Sequence, residues 1–203
     1  MYTPTHFAET DDAEIRRIVA AYPLASCVVA VDGAYVVNHI PVLWVEDRLI
    51  GHVALNNDLH RIADGMDAVF IFRAEDSYIS PNWYPTKAET HRHVPTWNYS
   101  AVNLHGRLDF DHTRKAKLAV VGQLTKHFEG ALNGDEAWKM RDAPRDYMDG
   151  MLDNIVAFSV DVARVEAKSK LSQNRESRDY DAVRDQMHAQ GKHDLARRMG
   201  DRS

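Results

Sequence analysis

Eleven histidines and one cysteine are the side chains in this 203-residue sequence best suited to hold a metal or act as nucleophiles. His91 and His93 lie two apart, His39 and His52 fall in β-rich runs, and His188 and His193 sit near the C-terminus. No pair has the His-x-x-x-His spacing that puts two imidazoles on one helical face, and one cysteine cannot build a thiolate cage, so no metal site is expected. Cys27 stands in the apolar run LASCVVAV with no basic neighbour and reads as a buried small hydrophobe rather than an activated thiolate. The chain has no Gly-x-Gly-x-x-Gly or Walker-type glycine loop, which argues against a Rossmann or P-loop nucleotide site.

Other residues offer binding chemistry instead. NHIPV (38–42) interrupts a β run with Pro41, which belongs at a bulge or an edge. GHVALNN (51–57) starts on a glycine that permits close approach and ends in paired amides. KLSQNR (170–175) gathers cations and amides after a strand. HVPTWNYSAVNLHGRLDF (93–110) enters an alternating strand through a proline, two large aromatics and an amide. Pro95 would fix the approach, Trp97 and Tyr99 offer flat surfaces with polar tips, and Asn98 could serve a heterocycle edge. Taken together, these stretches suit a flat ligand with polar edges and an anionic tail held by a Lys/Arg pair.

The elements that must carry these residues can be read from periodicity. TDDAEIRRIVAAYP predicts a helix capped by Thr10 and stopped by Pro23. Two β-rich runs follow, joined by Asp32-Gly33, a dipeptide suited to a tight hairpin. RLIGHVAL and AVFIFRA supply strands three and four, residues 75–96 a long loop, and residues 102–110 strand five. A helix over HTRKAKLAVVGQLTKHFEG should stop at Gly130, and a second helical piece around 135–149 leads into strand six, NIVAFSVDVARVEAK. Residues 178–203 are charged and expected to be helical. The pattern predicts a mainly β, α+β fold: a small six-stranded antiparallel barrel with helices at the start, between strands five and six, and at the end.

Composition narrows the function classes. Hydrophobic and charged fractions of 44% and 27% are ordinary for a soluble protein, and no apolar run reaches the ~20 residues a membrane helix needs. The start MYTPTHF has no secretory pattern, so a cytoplasmic location is expected. A formal charge of −5 and the lack of a helix-turn-helix with a basic recognition helix argue against direct DNA binding. Trp44, Val102 and Leu104 look like more apolar surface than one small barrel needs, which predicts a homodimer.

SYISPNWY (77–84), VPTWNYSAV (94–102), NIVAF (154–158) and KLSQNR, together with MYTPTHF and GHVA followed by Asn57, resemble the PaiB-type proteins, a family of FMN-binding negative transcriptional regulators. The likeness runs through nearly the whole chain in the right order. It implies a split β-barrel of the flavin-reductase and pyridoxamine-phosphate-oxidase kind, a homodimer with FMN at the subunit interface. Residues 1–177 would be the FMN-binding domain and residues 178–203 a helical tail of the same domain. Carried over by motif, His39, Gly51, His52, Asn57 and Arg61 would approach the flavin ring or phosphate. Trp97, Asn98 and Tyr99 would lie near the ring or ribityl chain, and Lys170, Gln173 and Arg175 over the cofactor. This chain departs from the family pattern at Leu55, where arginine or tyrosine is usual, and at Asp58 and His60 in the Asn-Pro-x-Trp segment. Three readings stay open: an FMN-binding regulator, a flavin-dependent oxidoreductase acting on a small molecule, and a haem-binding or haem-degrading protein. The residues show no acid–base pair that would establish an enzyme.

Overall fold

The helix at the N-terminus begins one step later than the sequence suggested. In the computed structural model, which describes residues 1–200, α1 spans Asp12–Ala21. Asp11, not Thr10, caps it, its carboxylate accepting from Ala13 N at 3.0 Å. The chain then runs β1 (Leu24–Val31), β2 (Ala34–Pro41), β3 (Leu43–Val45), β4 (Arg48–Ala54), α2 (Leu59–Ile62), β5 (Met66–Arg73) and β6 (Ser77–Ile79). After it come α3 (Lys87–Thr90), β7 (Thr96–Asp111), α4 (Arg114–Asn133), α5 (Arg145–Asp153), β8 (Ile155–Lys170), α6 (Ser177–Ala189) and α7 (His193–Met199). Among the described residues there are thus eight strands rather than six. β3 is cut from β2 at the Pro41–Val42 step, and β6 lies inside the expected loop. The expected terminal helices are α6 and α7, and residues 201–203 lie outside the described part.

The chain divides into two compact units. One comprises Tyr22–Phe72 and Asn103–Val165. Its strands are antiparallel where β1 meets β2 and β5, β3 meets β4, and β4 meets β8. The strand path is β2-β1-β5-β7-β8-β4-β3, open from β2 to β3, so its hydrogen bonding does not close the barrel. The β1–β2 hairpin turns on Asp32 and Gly33, whose φ of 49° and 81° are the left-handed pair such a two-residue turn requires. β2 is an edge strand ending on Pro41, the kind of place a residue without an N–H can occupy. Phe158 packs against Phe70 and Phe110 with ring centroids 5.9 and 5.8 Å apart. α4 covers one face of β4, burying Val120 and Leu124 against Ile50 and Ala157. It is capped by Thr113 and runs through Gly130 to end at Gly134, whose φ of 53° supplies the left-handed stop. Glycine in a helix interior costs only ~1 kcal/mol, which the good formers after Gly130 tolerate.

The other unit comprises Met1–Ala21, Arg73–Val102 and Glu166–Ser203, described to Gly200. β6 pairs with the start of β7, Ser77 opposite Asn98. Its core joins Ile79, Tyr84 and Leu171 to Tyr180, Val183 and Met187 of α6 and Leu195 and Met199 of α7, so the charged C-terminal helices bury an apolar stripe. A buried carboxylate fastens α6 to the segment after β6. Asp179 accepts from Thr86 N at 3.1 Å and from Thr86 Oγ1 at 2.6 Å, while His93 Nε2 lies 2.7 Å from the same hydroxyl. Because Thr86 donates to the carboxylate, it accepts from His93, which fixes the proton on Nε2.

One expectation about apolar surface changes here. Alternation along β7 is as predicted, but Val102 and Leu104 have 0% exposure within a single chain and offer nothing to a second copy. The large apolar side chains that do face outward include Tyr35 and Val37 on edge strand β2. Cys27 is buried, and burial pushes its thiol up to about 12.

Candidate functional site

Of the eleven residues expected to meet a cofactor, Trp97, Asn98, Tyr99, Lys170, Gln173 and Arg175 lie in the unit that includes the termini. His39, Gly51, His52, Asn57 and Arg61 lie in the other.

In the first set, strand β7 presents Trp97 and Tyr99 on one side and turns Asn98 inward. Trp97 is 53% exposed and meets Tyr78 edge-on, ring centroids 6.0 Å apart. With Tyr99, Arg73 and Asp76 it lines a cavity of about 460 Å³, and Arg73 and Asp76 form an ion pair at its wall. Asn98 is fully buried, its oxygen accepting from Ser172 Oγ at 3.0 Å. Lys168 Nζ stands 5.2 Å from the Tyr99 ring centroid and 5.7 Å from that of Tyr2, a cation between two aromatic rings. Lys170, at the end of β8, donates to Trp97 O at 2.7 Å and to Thr96 Oγ1.

The KLSQNR segment is a turn closed by its own groups. Ser172 takes a left-handed φ of 63°, and Arg175 N donates to Ser172 O at 2.9 Å. Gln173 Oε1 accepts from Leu171 N at 2.7 Å, and its Nε2 donates to Ser169 O. Arg175 lies over the Tyr84 ring at 4.8 Å and reaches His93 Nδ1 at 3.5 Å. The cations of this segment feel one another. Burial first, then the charges of Lys168 and Arg175, hold the Lys170 ammonium below its usual range.

In the second set, His39 lies in β2, Gly51 and His52 in β4, Asn57 in the turn after β4 and Arg61 in α2. His39 Nδ1 lies 3.1 Å from Ser26 Oγ across the β1–β2 ladder. Asn57 Nδ2 donates to Asn38 Oδ1 at 2.8 Å while its oxygen accepts from Leu59 N at 3.0 Å, so this amide holds the turn after β4 to β2. Arg61 pairs with Asp58 three residues back. His60 is buried, 3.0 Å from Leu55 O and edge-on to Phe110 and His112. Gly51 has a packing reason: a Cβ there would lie 2.5 Å from the Phe158 ring. His52 projects from the opposite face of β4 into a cavity under α4 and α5.

Sequence reasoning missed Tyr84, Thr86 and Asp179. Tyr84 had a signal, since it closes the SYISPNWY motif and precedes Pro85. Thr86 and Asp179 are 93 positions apart with nothing local to link them.

Residues 1–164 match a family whose description is "Putative FMN-binding domain". The chain is 29% identical over 195 residues to "Protease synthase and sporulation protein PAI 2" of Bacillus subtilis (strain 168), covering 92% of this chain and 89% of that one. Among solved structures it resembles the FAD and heme binding protein from Mycobacterium smegmatis with a TM-score of 0.61 at 18% identity, over 80% of this chain and 72% of that one. It resembles the flavocytochrome Anf3 from Azotobacter vinelandii with a TM-score of 0.60 at 15% identity, over 80% and 69%. At such identities the likeness is one of fold, and it supports the α+β split-barrel architecture expected from the sequence.

Proposed function

The chain belongs to this FMN-binding domain family, and from that premise we propose that it binds FMN as a cytoplasmic homodimer with a regulatory role of the PaiB kind. One observation carries the binding step: Lys168 and Lys170 at the end of β8 and Arg175 in the turn after it gather beside exposed aromatic surface, and burial first, then their mutual repulsion, weakens the Lys170 ammonium. A phosphate arriving there would relieve that repulsion, and Trp97 and Tyr99 suit a flat ring, so these residues fit the group. Arg61 is a weaker candidate for the phosphate, because Asp58 already meets its charge. FMN, when bound, supplies redox chemistry; the residues of this chain bind and orient it. The C-terminal helices belong to the same binding domain in this reading, since they share a core with Leu171 of the cofactor segment.

The visible spectrum of the purified protein tests this directly. A flavin band that follows the protein through gel filtration is expected; a haem Soret band, or no uptake of added FMN, would reject it. For assembly, the exposed pair Tyr35 and Val37 on edge strand β2 is the proposed pairing surface. Val37→Glu is expected to halve the mass seen by light scattering, whereas a dimer retained would place the interface elsewhere.

Lys170 also gives a pH dependence. A bound anion favours the ammonium form, so FMN binding takes up protons near the depressed Lys170 pKa. Affinity for FMN should therefore be full below that pKa and fall as pH rises through it. Riboflavin, which lacks the phosphate, should show no such fall. Isothermal titration of both ligands across the alkaline range checks this, and parallel curves would remove Lys170 from the anion site.

A further inference from the structure

The cavity under α4 and α5 has a construction of its own. It measures about 280 Å³, and its inner wall is His52, Val121 and Leu152, with Trp138, Tyr147 and Met151 around the mouth. Leu152 is almost fully buried, while Trp138, Tyr147 and Met151 are 41%, 59% and 48% exposed, so an apolar floor opens through an aromatic and thioether rim. Among the described residues, no lysine, arginine or carboxylate lines it. Inside, His52 Nδ1 is cut off from solvent and has no hydrogen-bond partner among the described residues. A polar atom buried without a partner is unusual and costs free energy that a suitable ligand group would recover.

We propose that this cavity is a binding site for a small uncharged phenol, whose ring fills the apolar floor and whose hydroxyl pairs with His52 Nδ1. Size limits the guest to one ring or two, since drug-sized ligands occupy pockets of roughly 300–1,000 Å³. Burial lowers the His52 pKa, so the imidazole is neutral near pH 7 and does not call for an anion. A neutral imidazole offers either a lone pair or an N–H at Nδ1, and a hydroxyl answers both because it donates and accepts. Methionine and aromatic walls adapt to flat guests through polarisable contact. None of its lining residues belongs to the cationic turn proposed for FMN, and the inference does not rest on that assignment.

The test compares p-cresol with toluene, which have similar shape and differ in the hydroxyl, by ligand-observed NMR and calorimetry on the full chain. Wild type should bind p-cresol about tenfold more tightly than toluene, the size of one hydrogen bond to an otherwise unpaired buried atom. His52→Leu should erase that preference while still binding toluene, and should melt no lower than wild type, since it removes an unpaired polar atom. Leu152→Trp should block both ligands by filling the floor, with a cooperative melt showing that it folds. Equal binding of the two ligands by wild type, a preference that survives His52→Leu, or no binding at millimolar ligand would each overturn the proposal. Displacement of FMN by p-cresol would also overturn it, by making the cavity part of the cofactor site.

Discussion

Replacing Gly106 with alanine should lower the melting temperature by about 6–12 °C or leave the chain insoluble. The new Cβ would sit 2.1 Å from Asp161 O and 2.8 Å from Val160 Cγ1. Asp161 O is strand backbone in β8, not the end of a flexible side chain, so relief requires moving one strand against another. Overpacking of this kind costs ~3 kcal/mol at the upper end of the usual range. At ~2–4 °C per kcal/mol for a chain of this size, the stated fall follows. Gly130→Ala is the matching control, because nothing lies within 4 Å of its added Cβ and the position is inside α4. That variant should raise stability by up to ~1 kcal/mol. Thermal melts of the pair read both; equal melting would mean that β7 and β8 can part at Gly106 without cost.

Removing the Arg175 side chain should weaken FMN about 10–150-fold, as losing one charge-assisted bond of ~1.5–3 kcal/mol implies. Riboflavin should bind wild type more weakly than FMN and lose little more in Arg175→Ala. Quenching of flavin fluorescence reports both constants. Equal affinities of wild type for riboflavin and FMN would show that no phosphate contact exists, even if the flavin still binds. Arg175 also lies over Tyr84 and beside His93, so Arg175→Lys helps separate charge from packing. Lysine keeps the charge but not the flat fork, and partial recovery of FMN affinity is expected.

Local signals in the sequence were read well where they were long or chemically specific. Asp32-Gly33 announced its hairpin because few dipeptides accept two left-handed residues in a row. β7 announced itself by alternation over residues 102–110, while its start at Thr96, where polar Asn98 and Ser100 face inward, carried no such apolar pattern. β3 and β6 could not be read, because three residues are too few to establish a period. The α4 stop was misplaced since two glycines, Gly130 and Gly134, compete for it, and only backbone geometry shows which one turns left-handed. The candidate site shows a different limit. Sequence identified Asn98, Asn57 and Gln173 as polar groups able to serve a ligand, but an amide serves backbone and neighbours equally well. In the structure all three have partners within the protein. The cations Lys170 and Arg175 likewise meet groups of the protein itself, Trp97 O and the Tyr84 ring among them.

The closed turn after β8 has a consequence for the speed of capture. Gln173, Ser172 and the Arg175 amide lock that turn before anything arrives, so the entropy of ordering its backbone belongs to folding rather than to association. On the proposed reading, an anion reaching Lys170 and Arg175 would meet a turn already closed, with no closing step to wait for. Encounter would then set the rate of arrival, and the strength of the completed contacts the time of stay.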